Sequence, residues 1–136
     1  MNQEASNYSS QVFKLDLGSL VFFEDYVITE FKEGIHITYD NFAESRALIK
    51  SIYKDRPFGF IANRKHTYSI NLTDATNFNT SFPNLKAYAV VSNTMFGKGI
   101  FEIENQFFKY NRKIFKDLES AKIWVKEALD KEKQLH

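Results

Sequence analysis

No cysteine occurs anywhere in the sequence. That excludes a disulfide framework and thiolate metal sites, and it fits a reducing compartment. Proline is nearly as scarce: only Pro57 and Pro83 are present, each just ahead of an apolar run. No apolar run approaches the length of a membrane span. The opening MNQEASNYSSQ has neither the basic n-region nor the apolar h-region of a secretory signal. It reads as a disordered polar tail over residues 1–10, and a cytoplasmic protein is expected. Histidine is limited to His36, His66 and His136, with no i, i+4 spacing, so no metal site is legible. G-x-S-x-G, H-E-x-x-H and P-loop patterns are missing, and no carboxylate pair sits in an apolar setting. The expectation is a protein without catalytic machinery and without a cofactor.

What is present describes a folded chain. Apolar residues make up 43% and charged residues 26% of 136 positions, outside the disordered range. Fourteen phenylalanines promise a compact interior, because each ring buries a large area. The length fits one domain, placed at 11–131, with a short tail at 132–136. Net charge is +1, but residues 1–44 carry eight acids against Lys14 and Lys32. A basic binding face in the remainder is one reading. Mutual compensation within one fold is the other and the better supported, so nucleic acid is not an expected partner.

Periodicity supplies the elements. Residues 12–18 alternate, placing Phe13, Leu15 and Leu17 opposite Val12, Lys14 and Asp16. With 20–25 and 26–31 they predict two or three antiparallel strands, turning at Gly18-Ser19, Glu24-Asp25 and 32–34. An extended Ile35-His36-Ile37 precedes an amphipathic helix over 39–54, capped by Thr38. FGFIAN (58–63) and LKAYAVVSN (85–93) are apolar on both faces, as strands covered on both sides are. Between them 72–78 suits a short helix capped by Thr73 or Asp74. A helix over 98–109 follows, with Ile100, Ile103 and Phe107 as its inward stripe and Glu102 and Glu104 outward. RKIF (112–115) is a brief strand. The helix over 117–133 is capped by Asp117 and should bury Trp124 on the Leu118/Ala121/Val125 face. The fold class is α/β: a mixed sheet, antiparallel at its start and then built of βαβ units, with helices packed on it.

Residues 11–131 resemble a STAS domain of the SpoIIAA-like branch, grouped with small bacterial STAS/SEC14-type proteins. The resemblance lies in the element order, in the strands FGFIAN and LKAYAVVSN, and in the closing KIFKDLESAKIWVKEAL. It implies a non-enzymatic scaffold that regulates or binds a protein partner in the bacterial cytoplasm. The alternative it implies is a carrier for a lipid or another small apolar or anionic molecule. A homodimer is compatible with either. In the anti-sigma-factor antagonists of this superfamily a Ser or Thr at the start of a helix after a central strand is phosphorylated. The corresponding stretch here is YSINLTDA, with Ser69 and Thr73 as the matching hydroxyls, but the usual Asp-Ser-Ser-Gly turn is missing.

Architecture then points to a site. In open α/β sheets ligands favour the crevice outside the carboxyl ends of parallel strands. FGFIAN delivers Asn63, Arg64, His66 and Tyr68 to that edge, and LKAYAVVSN delivers Ser92, Asn93 and Thr94. Arg64 suits a carboxylate or phosphate, and the tips of Arg64 and His66 should be partly exposed above buried Phe60 and Ala62. The competing reading is a solvated rim of turn-forming residues. KYNRKIFK (109–116) interleaves basic and aromatic residues as single-strand binders do, yet an edge strand guarded by lysines accounts for it better.

Overall fold

The computed structural model describes residues 10–135. The tail expected over 1–10 lies, apart from Ser10, outside the described residues. Strands β1 (Gln11–Lys14), β2 (Gly18–Phe22) and β3 (Tyr26–Phe31) form an antiparallel meander. Helix α1 (Ala43–Tyr53) leads to β5 (Phe58–Asn63), α2 (Ala75–Ser81) to β7 (Leu85–Val91), and α3 (Met95–Glu104) to β8 (Arg112–Phe115). Helix α4 (Leu118–Gln134) runs into the segment expected as a tail. The sheet order is β1-β2-β3-β5-β7-β8, and β3, β5, β7 and β8 are mutually parallel. The two-residue strands β4 (His36–Ile37) and β6 (Ser69–Ile70) pair in parallel beside this sheet.

The sheet separates two cores of different character. One face carries Leu20, Phe22, Val27, Phe31, Phe58, Phe60, Tyr88 and Val90. It packs on Ile49 and Tyr53 of α1, Phe78 of α2 and Phe101 of α3. Aromatic contacts run through it, with Tyr53 stacked on Phe58 at 4.8 Å between centroids. The opposite face carries Ile28, Ile61, Ala87, Ala89 and Val91, and α4 covers it with Ala121, Val125 and Leu129. Strands β5 and β7 are thus buried on both sides, which is why they read as continuous apolar runs. Small residues let α4 approach closely. A Cβ on Gly59 would overlap Val125 Cγ1.

Several local expectations are corrected. Gly18 and Ser19 belong to β2, and the first turn closes instead between Leu15 and Gly18. Thr38 does not cap the first helix. Its Oγ1 accepts from Asn41 N while Asn41 Oδ1 accepts from Thr38 N, making a turn ahead of α1. Neither Thr73 nor Asp74 caps the helix after β5 with its side chain. Asn71 caps a 3-10 turn at Leu72–Asp74, which leads into α2. Helix α3 starts three residues before the expected 98 and ends at Glu104. Its buried residues are Phe101 and Glu104, followed by buried Phe108, whereas Ile103 and Phe107 are exposed. Trp124 is only half-buried, because it lies over Phe115 of β8, where the sheet ends. That edge position of β8 agrees with the reading of KYNRKIFK.

A cleft at the carboxyl ends of the parallel strands

Strands β3, β5, β7 and β8 end along one edge. The chain leaving β7 enters α3 on the aromatic face, and the chain leaving β8 enters α4 on the other. Neighbouring strands whose connections diverge in this way open a crevice between them. Here the crevice is a cleft of about 570 Å³, and Asn63, Arg64, His66, Tyr68, Ser92, Asn93 and Thr94 all line it. The structure therefore gathers in one place the seven side chains picked out from the two strand ends.

Their environments differ sharply. Asn63 is buried and donates from Nδ2 to Glu30 Oε2 at 3.1 Å. Lys65 reaches the same carboxylate at 3.4 Å. His66, Asn93 and Thr94 are exposed, and Thr94 caps α3 by accepting from Gly97 N at 2.9 Å. Gly97 allows the helix start to lie on Ser92, since a Cβ there would overlap Ser92 Oγ. Tyr68 is buried in the aromatic core, and burial pushes its phenol up to about 12.

Arg64 departs from expectation. Its side chain is only 7% exposed, and Nη2 donates to Glu104 Oε1 at 2.7 Å. Arg112, whose side chain is fully buried, donates to the same oxygen at 3.1 Å and to Asn105 Oδ1 at 3.2 Å. The Arg112 guanidinium also lies 4.5 Å from the Tyr88 centroid and 4.7 Å from that of Phe101. The charge of Arg64 is disfavoured by burial. Tyr68 and Glu104 more than offset this, and its pKa stands above the ordinary arginine value. Two buried cations thus share one carboxylate, and Nε of each arginine has no hydrogen-bond partner. Arg64 is a structural residue as much as a cleft residue, and Glu104 faces inward rather than outward.

The sequence reading missed the β8 side of the cleft, which Lys116, Asp117 and Leu118 supply, and also Glu30 and Ile100. The same strand-end rule applied to RKIF would have found Lys116. No local signal marked Glu104 and Arg112 as partners of Arg64. Ser69 and Thr73 lie apart from the cleft. Both are exposed, with Ser69 Oγ 2.7 Å from His36 Nδ1 and Thr73 Oγ1 bonded to Asn71 Oδ1. Among the described residues no cluster of His, Cys, Asp or Glu could hold a metal ion, and no helix is long and apolar enough to cross a membrane.

Two further surfaces matter. The interior contains a cavity of about 50 Å³ lined by Phe31, Phe60, Phe78, Tyr88 and other rings. Outside, Phe96, Ile100, Ile103 and Phe107 recur at helical spacing, with Phe96 65% and Ile103 50% exposed, beside a Met95 that is 85% exposed.

No family model matches the sequence, and no curated protein matches it either. The fold does have a counterpart. A crystal structure of an uncharacterized protein from the DUF3478 family of Shewanella loihica PV-4, described as having a SpoIIAA-like fold, superposes with a TM-score of 0.54. The match covers 86% of this chain and 92% of that one, at 12% sequence identity. The chain has a SpoIIAA-like α/β fold, as its element order led one to expect.

Proposed function

We propose that this protein is a non-enzymatic, STAS-like regulatory or protein-interaction module of the bacterial cytoplasm, folded as one domain over 11–131. The observation that carries this reading is the apolar row on α3. Phe96 and Ile103 of the helix, and Phe107 in the turn that follows it, stand in solvent, and the interior has room for none of them. Contiguous exposed apolar side chains with no core to enter mark contact surfaces. The cleft beside the row, with Asn63, Arg64, His66, Tyr68, Ser92, Asn93 and Thr94, is the accompanying ligand- or partner-binding site. Exposure of Ser69 and Thr73 leaves either hydroxyl open to a kinase.

The carrier alternative fares less well for apolar cargo. Binding cavities for small molecules span roughly 300–1,000 Å³. The aromatic interior offers about 50 Å³, enough for a water or two and not for a lipid chain. The open cleft, at about 570 Å³, does have the volume for a ligand.

The test is capture from extract of the native cell. Wild-type protein should retain a partner that Phe96→Asp, Ile103→Asp loses, and the purified partner should bind wild type and not the variant. A partner held equally by both proteins, or none at all, would remove the reading.

A further inference from the structure

We propose that the cleft binds a small amphipathic anion, a carboxylate or phosphate monoester on an apolar body. Arg64 and Lys116 hold its charged end, and Ile100 and Leu118 pack on the body. This deepens the reading of the cleft as a binding site and supplies its ligand class.

The first argument is charge. Arg64, Arg112 and Glu104 form a buried cluster with two cations and one anion. Buried charge without a counter-charge is costly, so the cluster favours any anion that can approach it. Arg64 is the member that lines the cleft. Its Nε is buried and without a hydrogen-bond partner, so the guanidinium is not fully satisfied by Glu104.

The second argument is which wall groups are already engaged. The two acids of the cleft are both engaged, Glu30 by a counter-charge and Asp117, still charged, by the first turn of α4. Glu30 accepts from Asn63 and pairs with Lys65, and Asp117 accepts from Ser120 N at 2.8 Å and Ser120 Oγ at 3.2 Å. Lys116 and His66 line the cleft and form no ion pair among the described residues. Arg64, Lys65 and Lys116 against Glu30 and Asp117 leave the lining with a formal charge of +1, 3 − 2. Helices α3 and α4 both begin at the cleft wall, and their N-terminal dipoles add to that positive charge.

The third argument is shape. About 570 Å³ far exceeds what a bare anion needs and falls in the range for metabolite-sized ligands. Val91, Phe96, Ile100 and Leu118 give the wall apolar area that would be wasted on an inorganic ion.

Amide and Arg64 Nε–H resonances of ¹⁵N-labelled protein, titrated with phenyl phosphate, benzoate and neutral benzamide, test the proposal. One or both anions should give saturable shifts at Arg64 Nε–H, Gly97 and Leu118, with a dissociation constant of about 1 mM or tighter. Benzamide should give none. Tighter binding of phenyl phosphate assigns a phosphate monoester, and tighter binding of benzoate a carboxylate. Lys116→Gln, an exposed change that leaves the melting temperature unaltered, should weaken binding by about threefold or more. Absent saturation with both anions, equal shifts from benzamide, or an unchanged constant in Lys116→Gln would each overturn the proposal. The capture test turns on Phe96 and Ile103, the anion test on Arg64 and Lys116, and Ile103 lies outside the cleft lining. Capture without anion shifts therefore removes this inference alone, and shifts without capture remove the interaction reading alone.

Discussion

Arg64 and Glu104 are 40 residues apart in sequence and 2.7 Å apart in the fold, with both side chains buried. The contact ties α3 to the end of β5, and Arg112 extends the tie to β8. Glu104→Ala would leave two guanidiniums buried without a counter-charge. Removing one partner of a buried pair costs about 3–5 kcal/mol. Urea denaturation should show a loss of that order, while Glu102→Ala, two residues away and exposed, should stay within about 0.5 kcal/mol of wild type. Equal, small effects for both would mean that Glu104 does not hold the arginines.

Gly59 lies where α4 presses on β5. Gly59→Ala should therefore overpack the contact with Val125 and destabilise by about 1–3 kcal/mol. Paired with Val125→Ala, which opens space at the same point, the substitution should cost less than alone. A double-mutant cycle measures the coupling, and additive losses would deny the contact.

Burial raises the Tyr68 phenol from 10.0 to about 12. The folded state thus favours the neutral ring, and the unfolded chain ionises first. This stabilisation is complete below pH 10 and is lost as pH rises from 10 through about 12. Tyr68→Phe should flatten the decline of stability in that window, followed by thermal melts against pH. Phenolate absorbance should show a titration step in wild type that the variant lacks.

Asp117 has the opposite sign. Its hydrogen bonds from Ser120, the backbone one foremost, hold the carboxyl below its ordinary value. The stabilisation is present above the unfolded pKa and disappears as pH falls through the folded one. Asp117→Ala should lower stability at neutral pH and shrink the acid-side loss below about pH 4. An acid limb identical to wild type would show that the cap does not titrate with folding.

The centre of the sheet could be read in advance because burial on both faces leaves short, continuous apolar runs rich in β-formers. FGFIAN and LKAYAVVSN are too short for buried helices and suit central strands, and their ends located the cleft. Helix α3 was harder for a definable reason. With the turn that follows, it offers two rival stripes, Ile100/Ile103/Phe107 and Phe101/Glu104/Phe108, and hydrophobicity selects the first. The second is buried because Glu104 meets two arginines distant in sequence, and helical periodicity cannot see a tertiary ion pair. The partly exposed tip expected for Arg64 gives way to burial for the same reason. Trp124 was placed on the correct face, but its burial depended on how far β8 extends beneath it.

The order in which the two sheet faces acquire their cover has a consequence for the nascent chain. Helices α1, α2 and α3 alternate with the parallel strands, so the phenylalanine-rich face is roofed as it is synthesised. Helix α4 follows all eight strands, and among the described residues it alone supplies the helical cover of Ile61, Ala87 and Ala89. A chain still emerging from the ribosome can therefore assemble its sheet while that side is bare, the kind of species that aggregates. At its centre alanines and Gly59 stand where the other face has aromatic rings, and the rings on this side, Phe23, Tyr26 and Phe115, only pack against that cluster. The side that must wait longest for its helix therefore shows its smallest side chains at the middle of the sheet.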